Sequence, residues 1–200
     1  MMKHMRTSMK SAAYRWLTVG LVLLLASPAL TAEAPAARCP NPMVAVLEGM
    51  DVSAFDGTLR MVGARNGVFT GQVVLTAKAP FKAAPATVTG LSLKGGGGSI
   101  PAAAIRVRYA QPDGSFKGTK ARRYDSLADT PLGEGVRQMI WLIVRVPAEA
   151  RPGDYEGTLT AAGQPVPVQL RVCDWRVPDP KDFVSHVGLI QSPDSVALQY

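Results

Sequence analysis

Residues 137–175, RQMIWLIVRVPAEARPGDYEGTLTAAGQPVPVQLRVCDW, restrict the fold more than any other part of the chain. Apolar side chains recur there at every second position, which is the period of a strand and not of a helix. Residues 139–146 are apolar almost throughout, the pattern of a central strand covered on both faces. Ile140, Leu142, Val144 and Val146 make one set; Met139, Trp141 and Ile143 make the other, ending in Arg145. If the first set fills the core, Trp141 faces away from it and needs a cover of its own: a loop, a second domain or a sugar ring. Pro152-Gly153 then turns the chain into Tyr155, Gly157, Leu159 and Ala161, all on one face. Tyr155, just after that turn, is expected to form a tyrosine corner, its phenol bonding to backbone of the adjacent loop. Ala162-Gly163-Gln164, a tight connection, leads into Val166, Val168, Leu170 and Val172, the inward set of a closing strand. Pro165 and Pro167 mark the start of that strand as an edge.

The upstream sequence carries the same period. MVAVLE (43–48) opens the alternation, and GTLRMVGA (57–64) puts Leu59 and Met61 on one face. Asn66-Gly67 is a strong hairpin signal, because both residues tolerate positive φ. VFTGQVVLTA (68–77) returns, with Phe69, Val73 and Leu75 on one side. Residues 79–85 hold two prolines and are not expected to form an interior strand. TVTGLSL (87–93) reads as a short strand. Four glycines, 95–98, follow it; with Ile100-Pro101 behind them and no Lys-Ser/Thr, they read as a surface loop and not a phosphate cradle. AIRVRYA (104–110) points Ile105, Val107 and Tyr109 inward and Arg106 and Arg108 outward. Residues 111–135 read as a long polar excursion with one short strand near 122–124. Residues 174–182 are a charged, proline-bearing linker. After it come a new apolar run, 183–190, and an N-cap signal at Ser192-Pro193-Asp194. The fold expected is an all-β, antiparallel β-sandwich, immunoglobulin-like or jelly-roll-like. Its boundaries are expected as a signal peptide over 1–32, a linker over 33–42 and the sandwich over 43–177. A second linker and the start of another domain are expected over 178–200.

The leader decides the compartment. A basic segment with Lys3, Arg6, Lys10 and Arg15 precedes an apolar run over 17–30 and then small residues, the order of a secretory signal peptide. The run is short for a bilayer of ~30 Å, so cleavage near Ala32 is expected, with export to periplasm, cell surface or medium and no membrane attachment afterwards. The formal charge of +7 is largely the leader's. Without its four cations the balance against 15 acidic residues is +3, which gives no reason to expect nucleic acid as a partner. In an oxidising compartment Cys39 and Cys173 are a candidate disulfide, with free thiols as the alternative. One bridge would close a loop of about 135 residues, worth roughly 4–5 kcal/mol in loop entropy.

Catalytic chemistry is not legible in these residues. His4 belongs to the leader, and His186 is the only other histidine. Asp174, Asp179 and Asp182 cluster in a linker, where solvation and turn formation account for them. No EF-hand, HExxH, CxxC or GxSxG pattern occurs. No catalytic residue, metal ligand or cofactor is therefore assigned, and binding residues stay open.

The W-x-x-V-x-VP-x-x-A-x-PGDYEG run comprises Trp141, Val144, Val146, Pro147, Ala150, Pro152, Gly153, Tyr155 and Gly157. With PVPVQLRVCDWRVPDP after it, this run resembles the end of the N-terminal β-sandwich of glycoside hydrolase family 123-like proteins. It is similar also to secreted bacterial proteins with the related domain of unknown function 4091. GARNGVFTGQVVL (63–75) resembles that family's Ala-Arg-Asn segment, with Gly67 where an acidic residue is often found. Residues 181–200 resemble the opening of the family's catalytic barrel in planctomycete-type members. The resemblance implies a non-catalytic accessory domain whose partner is a C-terminal barrel of the same protein. In the family that barrel cleaves N-acetylgalactosaminides through an Asp–Glu pair with help from the substrate. Carbohydrate is the expected wider ligand class. The alternative is a stand-alone exported module that binds carbohydrate or protein. These differ in one expectation: the accessory domain leaves an apolar strip near Trp141 uncovered, and the stand-alone module closes its own surface.

Overall fold

A computed structural model describes residues 34–115 and 120–182. The expected signal peptide, the apolar run over 183–190, His186 and the N-cap at Ser192 lie outside the described residues. Among the described residues the chain forms strands β1 (Ala36–Arg38), β2 (Leu59–Arg65), β3 (Val68–Lys82) and β4 (Thr87–Val88). These are followed by β5 (Leu91–Leu93), β6 (Ser99–Ile100), β7 (Ile105–Ser115) and β8 (Arg122–Ala128). The last three are β9 (Glu134–Arg145), β10 (Gly153–Ala161) and β11 (Gln164–Arg176). One sheet runs β1-β3-β9-β7-β8, and the other runs β2-β11-β10-β5-β6 with β4 also on β10. The fold is a β-sandwich, as the alternation implies.

Between the layers lies one core. Ile140, Leu142 and Val144 of β9, Val73 and Leu75 of β3, and Tyr109 of β7 come from the first sheet. Leu59, Leu159, Val166, Val168, Leu170 and Val172 come from the second. The inward sets follow the period-two reading residue for residue. Apolar area removed from water at ~25 cal/mol per Å2 is the main stabilising term in such a core.

The C-terminal hairpin is as expected. Ala161 pairs with Gln164, and Ala162 (φ 46°) and Gly163 (φ 75°) form a two-residue loop with both φ positive. That handedness matches the twist of the flanking strands. Pro165 and Pro167 face β10 only, because β2 joins β11 from Val168 onward. Missing amide donors therefore cost no ladder bond on that side. Tyr155 is buried, and its hydroxyl donates to Arg151 O at 2.8 Å, which makes the tyrosine corner.

Several expectations are corrected. Asn66-Gly67 does not close a hairpin: β2 lies in one sheet and β3 in the other. A β carbon on Gly71 of β3 would fall 2.6 Å from Leu59 Cδ1 and 3.1 Å from the Met61 sulfur, so the two strands stack face to face. Burying Leu59 and Met61 against β3 outweighs pairing with it. β2 instead runs parallel to β11, so the second sheet is mixed and not purely antiparallel. The expected linker over 33–42 contains β1, which pairs with β3 from Ala36↔Thr76 to Arg38↔Val74. β3 continues through Pro80 to Lys82; its register on β9 breaks between Thr76 and Phe81, and Pro80 sits in that break. Residues 111–115 and 122–128, expected mostly as loop, belong to β7 and β8, which pair antiparallel with each other. The glycine run, as expected, is a surface connection, an exposed turn between β5 and β6 with Leu93 N–H donating to Gly98 O at 2.9 Å.

MVAVLE is not a strand. Residues 41–56 form an irregular strap across the outer face of the first sheet. Val46 and Val52 bury there against Val74, Ala110 and Met139, with Val44, Phe55, Tyr124 and Trp141 around them. A loop is thus the cover over β9's second face.

Gly157 allows β10 to approach its neighbours closely. An added β carbon would meet Leu91 Cδ2 at 2.5 Å, Gly90 O at 2.9 Å and Thr89 Oγ1 at 3.0 Å. Gly157→Ala is expected to lower unfolding free energy by about 1–3 kcal/mol, since backbone must move. Tyr155→Phe, which loses only the corner bond, is expected to cost about 1 kcal/mol. Urea unfolding of the two variants checks both values.

Candidate functional site

Two places concentrate polar contacts that the core does not require. The first is where the chain leaves the sandwich. Asn66 (φ 61°) sits in the crossing between β2 and β3, a conformation that asparagine tolerates better than most residues. Its Nδ2 donates to Val177 O at 2.9 Å and to Asp179 Oδ1 at 2.8 Å. Val177 N–H donates in turn to Arg65 O at 2.9 Å. The Arg65 guanidinium lies 3.5 Å from Asp174, and Arg176 lies 3.0 Å from Asp179. The segment after β11 is therefore clamped to the β2–β3 crossing. The Ala-Arg-Asn segment and the charged linker, which lie more than a hundred residues apart in sequence, form one device.

The glycines beside the asparagine have a packing reason. A β carbon on Gly63 or on Gly67 would fall 2.5 Å from the Phe69 ring. The ring therefore lies over both glycines, and Gly67 serves packing where the resemblance led to expect an acid. Arg65 finds its carboxylate in Asp174 instead. Next to the clamp, Val62 and Trp175 are exposed apolar side chains, Trp175 at 56%.

The second place is the strap. Gln72 is buried on the outer face of β3, and its Nε2 donates to Asn41 O at 2.7 Å and Val44 O at 3.0 Å. Arg137 donates from Nη1 to Leu47 O at 2.8 Å and from Nη2 to Met50 O. Arg122 makes a two-pronged pair with Glu48, at 2.9 and 3.0 Å, and Glu48 N–H returns a bond to Arg122 O. Hydrogen bonds from Arg122 hold the Glu48 carboxyl below its ordinary range. The strap's backbone is thus tied down by side chains of the sheet, which is how an irregular segment satisfies its carbonyls. Trp141 and Tyr124 lie in a pocket at its margin. Sequence reasoning asked what covers Trp141 but gave no reason to single out Gln72 or Arg137; their only signal is polarity at positions within otherwise buried strands.

The remaining sequence candidates fall apart from one another. Pro152, Gly153, Tyr155 and Gly157 serve the turn and β10; Gly153 adopts φ 141°, where a side chain is strained. Arg106 and Arg108 pair with Asp129 at 3.0 and 3.3 Å. Cys39 and Cys173 are free thiols. Cys39 packs against the core between the sheets, whereas Cys173 follows the buried Val172 and lies on the outward side of β11. Of the two alternatives, bridge or free thiols, the structure shows the thiols, with the two side chains on opposite faces. Burial, with Asp56 nearby, pushes the Cys39 thiol up to about 12. Among the described residues no group of three His, Cys, Asp or Glu side chains is placed to hold a metal ion. Among them, too, no helix is long and apolar enough to cross a membrane.

What these features define is a two-layer β-sandwich with a clamped exit and a strapped outer face. No protein-family model matches the chain, and no curated protein matches its sequence. A solved structure does match: a family 123 glycoside hydrolase from Clostridium perfringens, described for glycolipid glycan hydrolysis. The TM-score is 0.59 over 74% of this chain, at 12% identity. The matched region is 29% of that enzyme's length, so this chain spans under a third of it. At such identity the likeness is one of fold.

Asn66→Ala is expected to release the linker: it loses two hydrogen bonds and strains the turn. Amide exchange at Val177 should speed at least about tenfold, with a global loss of about 1–2 kcal/mol. Asn66→Gly, which keeps the turn, should speed the same amide with a smaller global loss. For Cys39, an unfolded thiol ionises near pH ~8.5, below its folded value. The folded state therefore holds the extra proton between these limits, and stability should fall as pH rises through about 9 toward 12. Alkylation of Cys39 at pH 8 should be slow in the native chain and fast in urea.

Proposed function

We propose that the chain is the non-catalytic N-terminal accessory sandwich of an exported glycoside hydrolase-like protein that acts on carbohydrate. N-acetylhexosaminides are the substrate class favoured by the resemblance of the Trp141–Gly157 run. The observation that carries this reading is the clamp. A sandwich that only had to close on itself gains little from pinning its outgoing linker by Asn66, Arg65 and Arg176. A sandwich that sets the direction of a following domain gains a fixed exit. The fold likeness to a family 123 glycoside hydrolase supports it, and so does the exposure of Val62 and Trp175 near that exit. The barrel of the same protein would be the partner, and the chemistry would lie there.

A second reading has one observation in its favour. The outer face around Trp141 is covered by the strap, which is what a self-sufficient exported binding or adhesion module requires. The strap covers the outer face near Trp141 except at its margin, and the exposed large apolar side chains are spread over the strap (Met43), β2 (Val62), β3 (Val68), β8 (Leu127), β9 (Val136) and β11 (Trp175).

Two experiments test the choice. The gene downstream of the Tyr200 codon is expected to continue through a barrel-length frame, ~250 residues; a stop at that codon would overturn the accessory role. The chain itself, given chromogenic N-acetylgalactosaminides, is expected to release no chromophore above background, and turnover would place chemistry in the sandwich.

A further inference from the structure

The strap leaves part of the first sheet's outer face open. Trp141 is half-buried at its margin, flanked in register by Gln72 on β3 and Arg108 on β7. A cavity of about 410 Å3 opens there, lined by Trp141, Tyr124, Met139, the strap backbone, Arg123 and Asp125. That is within the ~300–1,000 Å3 range of small-molecule sites, which combine apolar walls with a few polar groups.

Polar groups around this cavity are mostly committed. Gln72 is bonded to the strap, and Arg108 donates to Ala128 O and Leu127 O. Trp141 Nε1 is the exception: it is shielded from solvent and has no acceptor among the described residues. Buried indole N–H groups ordinarily find one. At the rim Arg123 and Asp125 pair with each other at 3.1 Å, both well exposed. The rim therefore offers donors and acceptors with no net charge.

We propose that this cavity binds one pyranose ring of a neutral sugar. The C–H face of the ring lies against the Trp141 and Tyr124 side chains, and its hydroxyls bond to Arg123 and Asp125. A small outward shift of the strap brings a further hydroxyl to Trp141 Nε1. The balance of charge argues against a phosphate or carboxylate ligand. A wholly apolar ligand would leave the rim pair and the indole N–H unmet. The inference stands on the cavity's own chemistry and goes beyond the accessory role, because it gives the sandwich a ligand independent of any barrel.

Trp16→Phe and Trp175→Phe together make Trp141 the sole indole of the chain. Emission of that variant would be followed against galactose, glucose, N-acetylgalactosamine and N-acetylglucosamine, each to about 50 mM, which reaches millimolar dissociation constants. At least one sugar is expected to give a saturable change. Arg123→Ala and Asp125→Ala, exposed and outside the core, should weaken it about tenfold or more without moving the unfolding midpoint. Absence of saturation with all four sugars would overturn the proposal, as would binding unchanged in both rim variants. An equal response to inorganic phosphate would overturn it too. None of these outcomes bears on the frame downstream of Tyr200, so the two proposals fail separately.

Discussion

β9 is apolar on both faces, and both must be kept from water. That single demand organises the molecule. Its inner face is met by the second sheet, through Leu159, Val166, Val168 and Leu170. Among the described residues no third sheet covers its outer face. The strap takes that place, and because it is irregular its carbonyls need donors. Gln72 and Arg137 supply them from within the sheet it covers. Gln72 and Arg137, polar residues within largely apolar strands, thus answer backbone groups of the cover. Leaving such a carbonyl buried and unpaired costs about 1–3 kcal/mol.

Strand content and facing were readable because a half-buried sheet imposes a strict alternation. The tight connection at Ala162-Gly163-Gln164 was readable, whereas the positive φ of Ala162 has no signal in the residue type. What failed was partner choice. Asn66-Gly67 carries the same local signal as a hairpin, yet the chain crosses between layers there, since Leu59 and Met61 need Gly71 opposite them. The alternation of residues 43–48 likewise reads as a strand, but nothing in a short apolar pattern tells a ladder from a loop pressed on a sheet. Pro80 stands inside β3 because a register break on β9 accommodates it, and no local signal marks such a break. These are long-range facts, and local sequence does not carry them.

The clamp was legible only in pieces. A positive-φ asparagine and a charged proline-bearing linker were both visible, but their contact spans over a hundred residues. Joined, they suggest why a sandwich would fix the path of the chain beyond its last strand. The cysteines make the complementary point. Compartment and count left bridge and free thiols both open, whereas the facing of β11 puts the two thiols on different sides of a sheet. Composition sets what bonds are affordable in a compartment; strand parity sets which side chains can meet.

The most direct test of this account is a charge placed under the strap. Val46 is 4% exposed against Val74 and Met139, and Met43, three residues earlier, is 92% exposed. Val46→Asp is expected to lower the unfolding free energy by at least about 3 kcal/mol, since an unpaired carboxylate would be buried. Met43→Asp should change it by less than about 0.5 kcal/mol. Equal, small effects from the two substitutions would mean that β9's outer face does not depend on the strap, and would contradict the account.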